Sequence, residues 1–325
     1  MTGVAIARHG LACALLLAFA AGAQAQTWPA KPVKMVASFA PGSAPDIVAR
    51  LVADQLSRAW GQPVLVENKP GGGNVIGAQF AARAAPDGYT LYFATAAALV
   101  TNPYTFKSLP YDPARDFAPI GIVGRTPFLI LAHPEVPAKT LAELIALDKA
   151  QPGKLAFATD GPRNFSGMAA AWLNKLAGTS IVQVPYASMP QGVQDTLAGR
   201  TQLVILAPAL AAGHVKRGAL RPLAETWARR VPGMEELQPV AELLPGFDLV
   251  GWFALVAPGA TPDAIIRRAN RDLDRALKDG AVSHRLREMG VYTDGAETPE
   301  AARDFILAER TNWGRVVKEI GLQPE

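Results

Sequence analysis

A chain of 325 residues with a formal net charge of +4 and 50% hydrophobic side chains has room for one large domain or two ordinary ones. It can be stabilised by burial alone. Lys and Arg are spread along it without a basic block, which excludes the clustered footprint of a nucleic-acid binder. The slight positive excess suits an anionic ligand and also simple solubility. The single cysteine, Cys13, excludes a disulfide framework and a thiolate metal site.

The first segment reads as an export signal. Arg8 precedes an apolar run over 11–21 and the small residues Gly22-Ala23-Gln24-Ala25, the order of a secretory leader cut after Ala25. The run falls short of the roughly 20 residues that span a bilayer. Removing 1–25 takes Cys13 with it and leaves a periplasmic chain starting at Gln26.

After that, 34–39 reads as a short buried strand and 40–45 as a turn-rich loop. Ile47, Val48, Leu51, Val52 and Leu56 then recur at helical spacing. Ser43 and Asp46 have the spacing of a capping box, which starts this helix near Ala44, and Gly61 stops it. A strand is expected at 64–67, a glycine-opened helix at 71–84 and a strand at 89–95. Strands follow at 128–132, 155–159, 182–185, 202–206 and 220–224, alternating with helices at 141–150, 166–176, 191–197 and 209–216. The longest helical patterns, 258–278 and 299–320, carry Pro262 and Pro299 near their starts. This alternation predicts an α/β fold with parallel crossovers. The loops 40–46, 95–102, 159–166 and 185–190 each follow a strand and feed a helix. Ligands of open α/β sheets lie beyond such strand ends, where free helix-start N–H groups favour carboxylate or phosphate.

Catalytic apparatus is nearly absent from the pattern. His133, His214 and His284 lie far apart and outside any metal-ligand spacing. No G-x-S-x-G elbow or phosphate-binding P-loop occurs, and Gly71-Gly72-Gly73-Asn74-Val75-Ile76-Gly77 departs from a dinucleotide loop because its last glycine is one place late. No cofactor, no metal and no enzymatic activity are expected.

Several segments resemble one family when taken together in order. They are the run 39–50 (FAPGSAPDIVAR), Gly61-Gln62-Pro63-Val64, Val66-Glu67-Asn68-Lys69-Pro70-Gly71, the run 85–91 (APDGYTL) and Leu109-Pro110-Tyr111-Asp112-Pro113. Further on come Asp116-Phe117-Ala118-Pro119, Val184-Pro185-Tyr186, Pro258-Gly259-Ala260-Thr261-Pro262 and the closing helix with Trp313. The set is similar to the Bug family, the extracytoplasmic solute receptors of tripartite tricarboxylate transporters. The resemblance implies a type II periplasmic-binding-protein fold, with two α/β lobes and a ligand cleft between them. Lobe 1 would comprise residues 26–122, lobe 2 residues 123–222, and 223–325 would return to lobe 1 and supply the C-terminal helices. It further implies a monomer that captures a small organic anion, a mono- or dicarboxylate, by lobe closure. The receptor then delivers it to integral-membrane transporter subunits; a sensing subunit or an exported enzyme on the same scaffold are the alternatives.

By that resemblance one ligand carboxylate is held by lobe 1 at Phe39, Pro41, Gly42, Ser43, Ala44 and Asp46 and at Thr95, Ala96, Ala97 and Ala98. Selection falls to lobe 2, at Asp160, Gly161, Arg163, Asn164, Phe165 and Ser166, at Tyr186 to Met189, and at the strand end near Ala207. Ser43 replaces the family's usual glycine, either as helix cap or as ligand contact. Asp46 would repel a ligand carboxylate and is expected to hold the loop backbone instead. Arg163 is free to pair with a second carboxylate or to point to solvent, and Phe165 to lie on the ligand or under the loop. Ala207-Pro208 stands where relatives often carry Asp-Asn, which disfavours an amino-acid ligand unless Asp160 compensates.

Overall fold

The computed structural model describes residues 28–325; the expected leader 1–25, with Cys13 and the cut before Gln26, lies outside them. In chain order the elements are β1 (Val33–Ala37), α1 (Ala44–Trp60), β2 (Val64–Asn68), α2 (Val75–Ala82), β3 (Thr90–Thr95), α3 (Asn102–Thr105), β4 (Phe117–Thr126) and β5 (Leu129–Ala132). Then come α4 (Leu141–Ala150), β6 (Ala156–Thr159), α5 (Phe165–Ala177), β7 (Val182–Pro185), α6 (Met189–Leu197), β8 (Leu203–Leu206), α7 (Pro208–Lys216) and β9 (Arg221–Glu225). The chain closes with α8 (Val240–Leu243), β10 (Gly251–Pro258), α9 (Asp263–Lys278), α10 (Gly280–Glu288) and α11 (Pro299–Glu319).

These strands form two five-stranded sheets, ordered β2-β1-β3-β10-β4 and β7-β6-β8-β5-β9. In the first, β1 runs parallel to β2 and β3 while β10 is antiparallel to β3 and β4. In the second, β6 runs parallel to β7 and β8, and β5 is antiparallel to β8 and β9. The two-lobed α/β architecture is therefore as expected. The anticipated breaks after 122 and 222 fall inside β4 and β9, the strands that lead across between the lobes.

Two expected helices begin later than the sequence reading placed them. The helix expected over 258–278 begins only at Asp263, and 251–258 is β10, zipped between β3 and β4. The helix expected from Gly71 begins at Val75, because Gly71, Gly72, Gly73 and Asn74 all hold positive φ, which a right-handed helix cannot contain.

Local packing explains the rest. Val48, Val52 and Leu56 of α1 recur every four residues and are buried with Met35 of β1 and Leu273 of α9 in one core. The Trp60 indole closes this layer by donating to Asp272 at 3.0 Å. Where the chain crosses between the sheets, Phe128 and Thr226 bond each other twice: Phe128 N–H to Thr226 Oγ1 at 3.1 Å and Thr226 N–H to the Phe128 carbonyl at 2.9 Å. The helix α11 packs on both sides of the molecule, and Trp313, Trp252, Phe247 and Phe157 belong to one continuous buried cluster.

That cluster encloses a carboxylate. Burial pushes the Glu309 carboxyl up to about 7, against the hydrogen bond it accepts from Trp252 Nε1 at 3.0 Å. A carboxyl with a raised folded pKa takes up a proton on folding. Its contribution is therefore fully present below the unfolded pKa near 4.5 and is lost as pH rises to about 7. Between pH 5 and 8 the chain should lose on the order of 2 kcal/mol through this group. Urea unfolding of Glu309→Gln at both pH values should show that pH dependence flattened. Unchanged dependence in the variant would remove Glu309 as its source.

Candidate functional site

The parallel pairings put the loops after β1 and β3 at one edge of the first sheet and those after β6, β7 and β8 at one edge of the second. Four of these loops lead into α1, α5, α6 and α7, and the starting residues Ser43, Asn164, Ser188 and Ala207 make no side-chain cap bond. By contrast Thr140, Asp279 and Thr298, at the starts of α4, α10 and α11, each accept from first-turn N–H groups. The starts of α1, α6 and α7 thus carry no side-chain cap, whereas at α5 the Asp160 carboxylate takes the Ser166 and Gly167 N–H groups.

The loop 39–46 is tied down from below. Asp46 is buried and collects the Gly42 N–H at 2.8 Å, Arg50 Nε at 2.9 Å and Asn68 Nδ2 at 2.7 Å. Asn68 also donates to the Phe39 carbonyl, and the Phe39 ring packs edge-on to Phe93 and Phe253. Burial opposes the charged form of Asp46, but the bonds from Arg50, Asn68 and Gly42 outweigh it and hold the carboxyl below its ordinary range. The capping box is corrected in both halves. The Ser43 hydroxyl donates back to the Ala40 carbonyl at 2.7 Å instead of capping α1, and Asp46 grips Gly42 one residue before the cap. Pro41, Gly42 and Ala44 remain exposed, so this loop offers backbone rather than side-chain chemistry.

After β3 the backbone enters a widened helical turn at Ala97–Thr101, with the Ala98 N–H donating to Thr95 Oγ1 at 3.3 Å. Ala98 itself is turned into the core and its carbonyl accepts from Tyr111.

The loop 160–166 carries the most distinctive chemistry. Asp160 lies inward; Ser166 Oγ donates to its carboxylate and accepts its N–H, and Asn164 Nδ2 donates to its carbonyl. Burial raises the Asp160 carboxyl above its ordinary range, against the Ser166 bond. It is thus committed inside the loop, which removes it as the counter-charge for a ligand ammonium. Phe165 stacks on Phe128 at 4.0 Å and meets Trp313 edge-on at 5.8 Å. Arg163 does not point freely to solvent: it bonds Glu325 and the Gln323 carbonyl.

A cavity of about 310 Å³ opens between the sheets. Ala96, Ala97, Gly161, Arg163, Asn164 and Phe165 of the expected set line it, together with Asn74, Asn102, Phe106, Trp313 and Glu325. The latter five were not anticipated as site residues; Trp313 stood in the motif set without a site role, and Glu325 had no local signal. Phe39, Pro41, Gly42, Ser43, Ala44, Asp46, Thr95, Ala98, Asp160, Ser166, Tyr186 and Ala207 do not line it. Tyr186 is held on α6 by its hydroxyl bond to Asp195 at 2.8 Å, and the residues after Ala207 lie close to Gly290. No group of three or more metal-binding side chains, and no helix long and apolar enough to cross a membrane, occurs among the described residues.

Residues 48–322 match the family described as "Tripartite tricarboxylate transporter family receptor". The chain belongs to this receptor family. BugT of Bordetella pertussis (strain Tohama I) is 34% identical over 321 residues, covering 98% of this chain and 96% of BugT. The structure of R. palustris Rpa4515 with adipate aligns at TM-score 0.80 and 30% identity, over 92% of this chain and all of that one. MatC (Rpa3494) from Rhodopseudomonas palustris, solved with bound malate, aligns at TM-score 0.74 and 28% identity, over 89% of this chain and 100% of that one. Membership in the tripartite tricarboxylate transporter receptors makes this chain a solute-binding receptor of the two-lobed fold.

Proposed function

We propose that this receptor is periplasmic, with residues 1–25 as its export leader, and that it binds a small carboxylate between its lobes without transforming it. It hands the acid to integral-membrane subunits of a tripartite transporter. Lobe 1 takes in 26–122 and the returning 223–325, and lobe 2 takes in 123–222. The observation that carries this reading is one guanidinium, Arg163, in the wall of an interlobe cavity that also takes in Asn74 at the uncapped start of α2. Free helix N–H groups of lobe 1 suit one carboxylate, and Arg163 suits a second. The Phe165 face covers the apolar stretch between them. Adipate and malate on the two relatives above are both dicarboxylates, and the inward commitment of Asp160 leaves an amino acid without a partner for its ammonium. Contacts from both lobes favour the closed state, which is how ligand binding becomes a signal to the membrane subunits.

A thermal-shift screen of the chain from Gln26 onward tests the proposal, using mono-, di- and tricarboxylates, aromatic acids and amino acids. A true ligand at 100 times its Kd adds about 2.7 kcal/mol. Arg163→Ala should weaken dicarboxylates by at least roughly tenfold and leave monocarboxylates nearly unchanged. Protein shown to be ligand-free that shifts with no acid would sink the assignment. Recovery of a chemically altered ligand would sink the non-enzymatic half of it.

A further inference from the structure

The guanidinium in the cavity wall already has a carboxylate. Arg163 Nη1 lies 2.9 Å from Glu325 Oε2, and Nη2 donates to the Gln323 carbonyl at 3.1 Å. Glu325 is fastened at its other end to lobe 1: its N–H donates to the Thr105 carbonyl at 3.1 Å, and its carbonyl accepts from the Lys107 N–H at 3.0 Å. Residues 323–325 therefore form a strap from the α3 side of the cavity to the selective loop, and among the described residues Glu325 and Arg163 are the only charged side chains lining that cavity. Arg163 Nε is buried with no acceptor among the described residues, so the strap satisfies this guanidinium only in part.

We infer that Glu325 is an internal competitor for the position of the ligand's second carboxylate. In the empty receptor it neutralises Arg163; a dicarboxylate of suitable reach displaces it and takes Nε together with a terminal nitrogen. The inference rests on the proposed carboxylate reading. The exchange is physically cheap, because the Glu325 side chain is 68% exposed and that of Arg163 32% exposed. Ion pairs of that exposure contribute little net stability and hydrate readily when opened. A bidentate carboxylate brings the acceptor that Nε lacks, which is the gain the strap cannot supply. A ligand with one carboxylate has nothing to offer Arg163 and leaves the strap in place. Glu325 thus sets a threshold that only acids with two charges must cross and can cross.

Calorimetric titration of wild type, Glu325→Gln, Arg163→Ala and the double variant with adipate, malate and hexanoate tests this. Glu325→Gln should tighten the dicarboxylate that wild type or this variant binds by roughly three- to tenfold, with hexanoate within twofold. In the Arg163→Ala background the same substitution should change neither. Equal tightening of di- and monocarboxylate, or no tightening where wild type binds, overturns the competitor role while the receptor reading stands. If none of the four proteins binds adipate or malate, the competitor role falls, and the receptor reading is judged separately by the wider acid screen.

Discussion

Alanine at position 167 should lower the unfolding free energy by about 3 kcal/mol and abolish ligand binding. Gly167 sits in the first turn of α5, and a Cβ there would stand 2.1 Å from the Gly161 carbonyl oxygen and 2.7 Å from its carbon. Those are backbone atoms of the selective loop, which cannot rotate aside as a side chain can. Helix propensity alone predicts the opposite sign, since Ala is favoured over Gly by roughly 1 kcal/mol in a helix interior. Overpacking of about 1–3 kcal/mol or more must outweigh it, and the loop carrying Arg163 and Phe165 must move off the helix to make room. Gly213 in α7 is the control. Its Cβ would meet only the far end of the Arg217 side chain at 3.4 Å, so Gly213→Ala should be neutral or stabilising by up to about 1 kcal/mol. Urea midpoints that fall equally for both variants would remove close approach as the reason for Gly167.

Asp46→Ala should cost about 2–4 kcal/mol and release the loop that follows β1. The carboxylate is only 1% exposed and satisfies three donors at once, so its removal takes the acceptor from the Gly42 N–H and leaves Asn68 Nδ2 with only the Phe39 carbonyl. Its folded pKa is lowered, so its contribution is present above the ordinary carboxylate range and is lost as the solution is acidified through the folded pKa. Wild type should therefore lose stability on acidification that Asp46→Asn does not lose. Chemical denaturation at pH 7 and pH 3 reads both effects. Equal acid sensitivity in the two proteins would place it on other carboxylates.

Much of this architecture was legible because it is written locally. The four-residue recurrence of Val48, Val52 and Leu56 marks α1, and Gly61 with φ of 62° ends it where a left-handed residue is needed. The strand-end loops announce themselves by small and polar residues before each helix. The strands β4 and β10 do not, since their pairing joins residues 117–126 with 251–258, and an apolar run buried on both faces has no alternation to read. At the site the same division holds. Arg163 and Phe165 stand out as departures from a small-residue loop. Their partners lie far off in sequence: Glu325 is 162 positions from Arg163 and Trp313 is 148 from Phe165. Capping failed at Ser43 for a different reason, because its hydroxyl found the Ala40 carbonyl three residues back.

The contact of Trp313 with Phe165 couples the selective loop to α11 through an indole. That side chain is wholly shielded from water, and parting of the loop from α11 would expose it and take away its aromatic neighbour. The protein therefore carries a native fluorophore at the point where its two halves meet. Because six tryptophans emit together, the component lost in Trp313→Phe is the reporter: red-shifted for the open form, blue for the closed one, on the unlabelled chain.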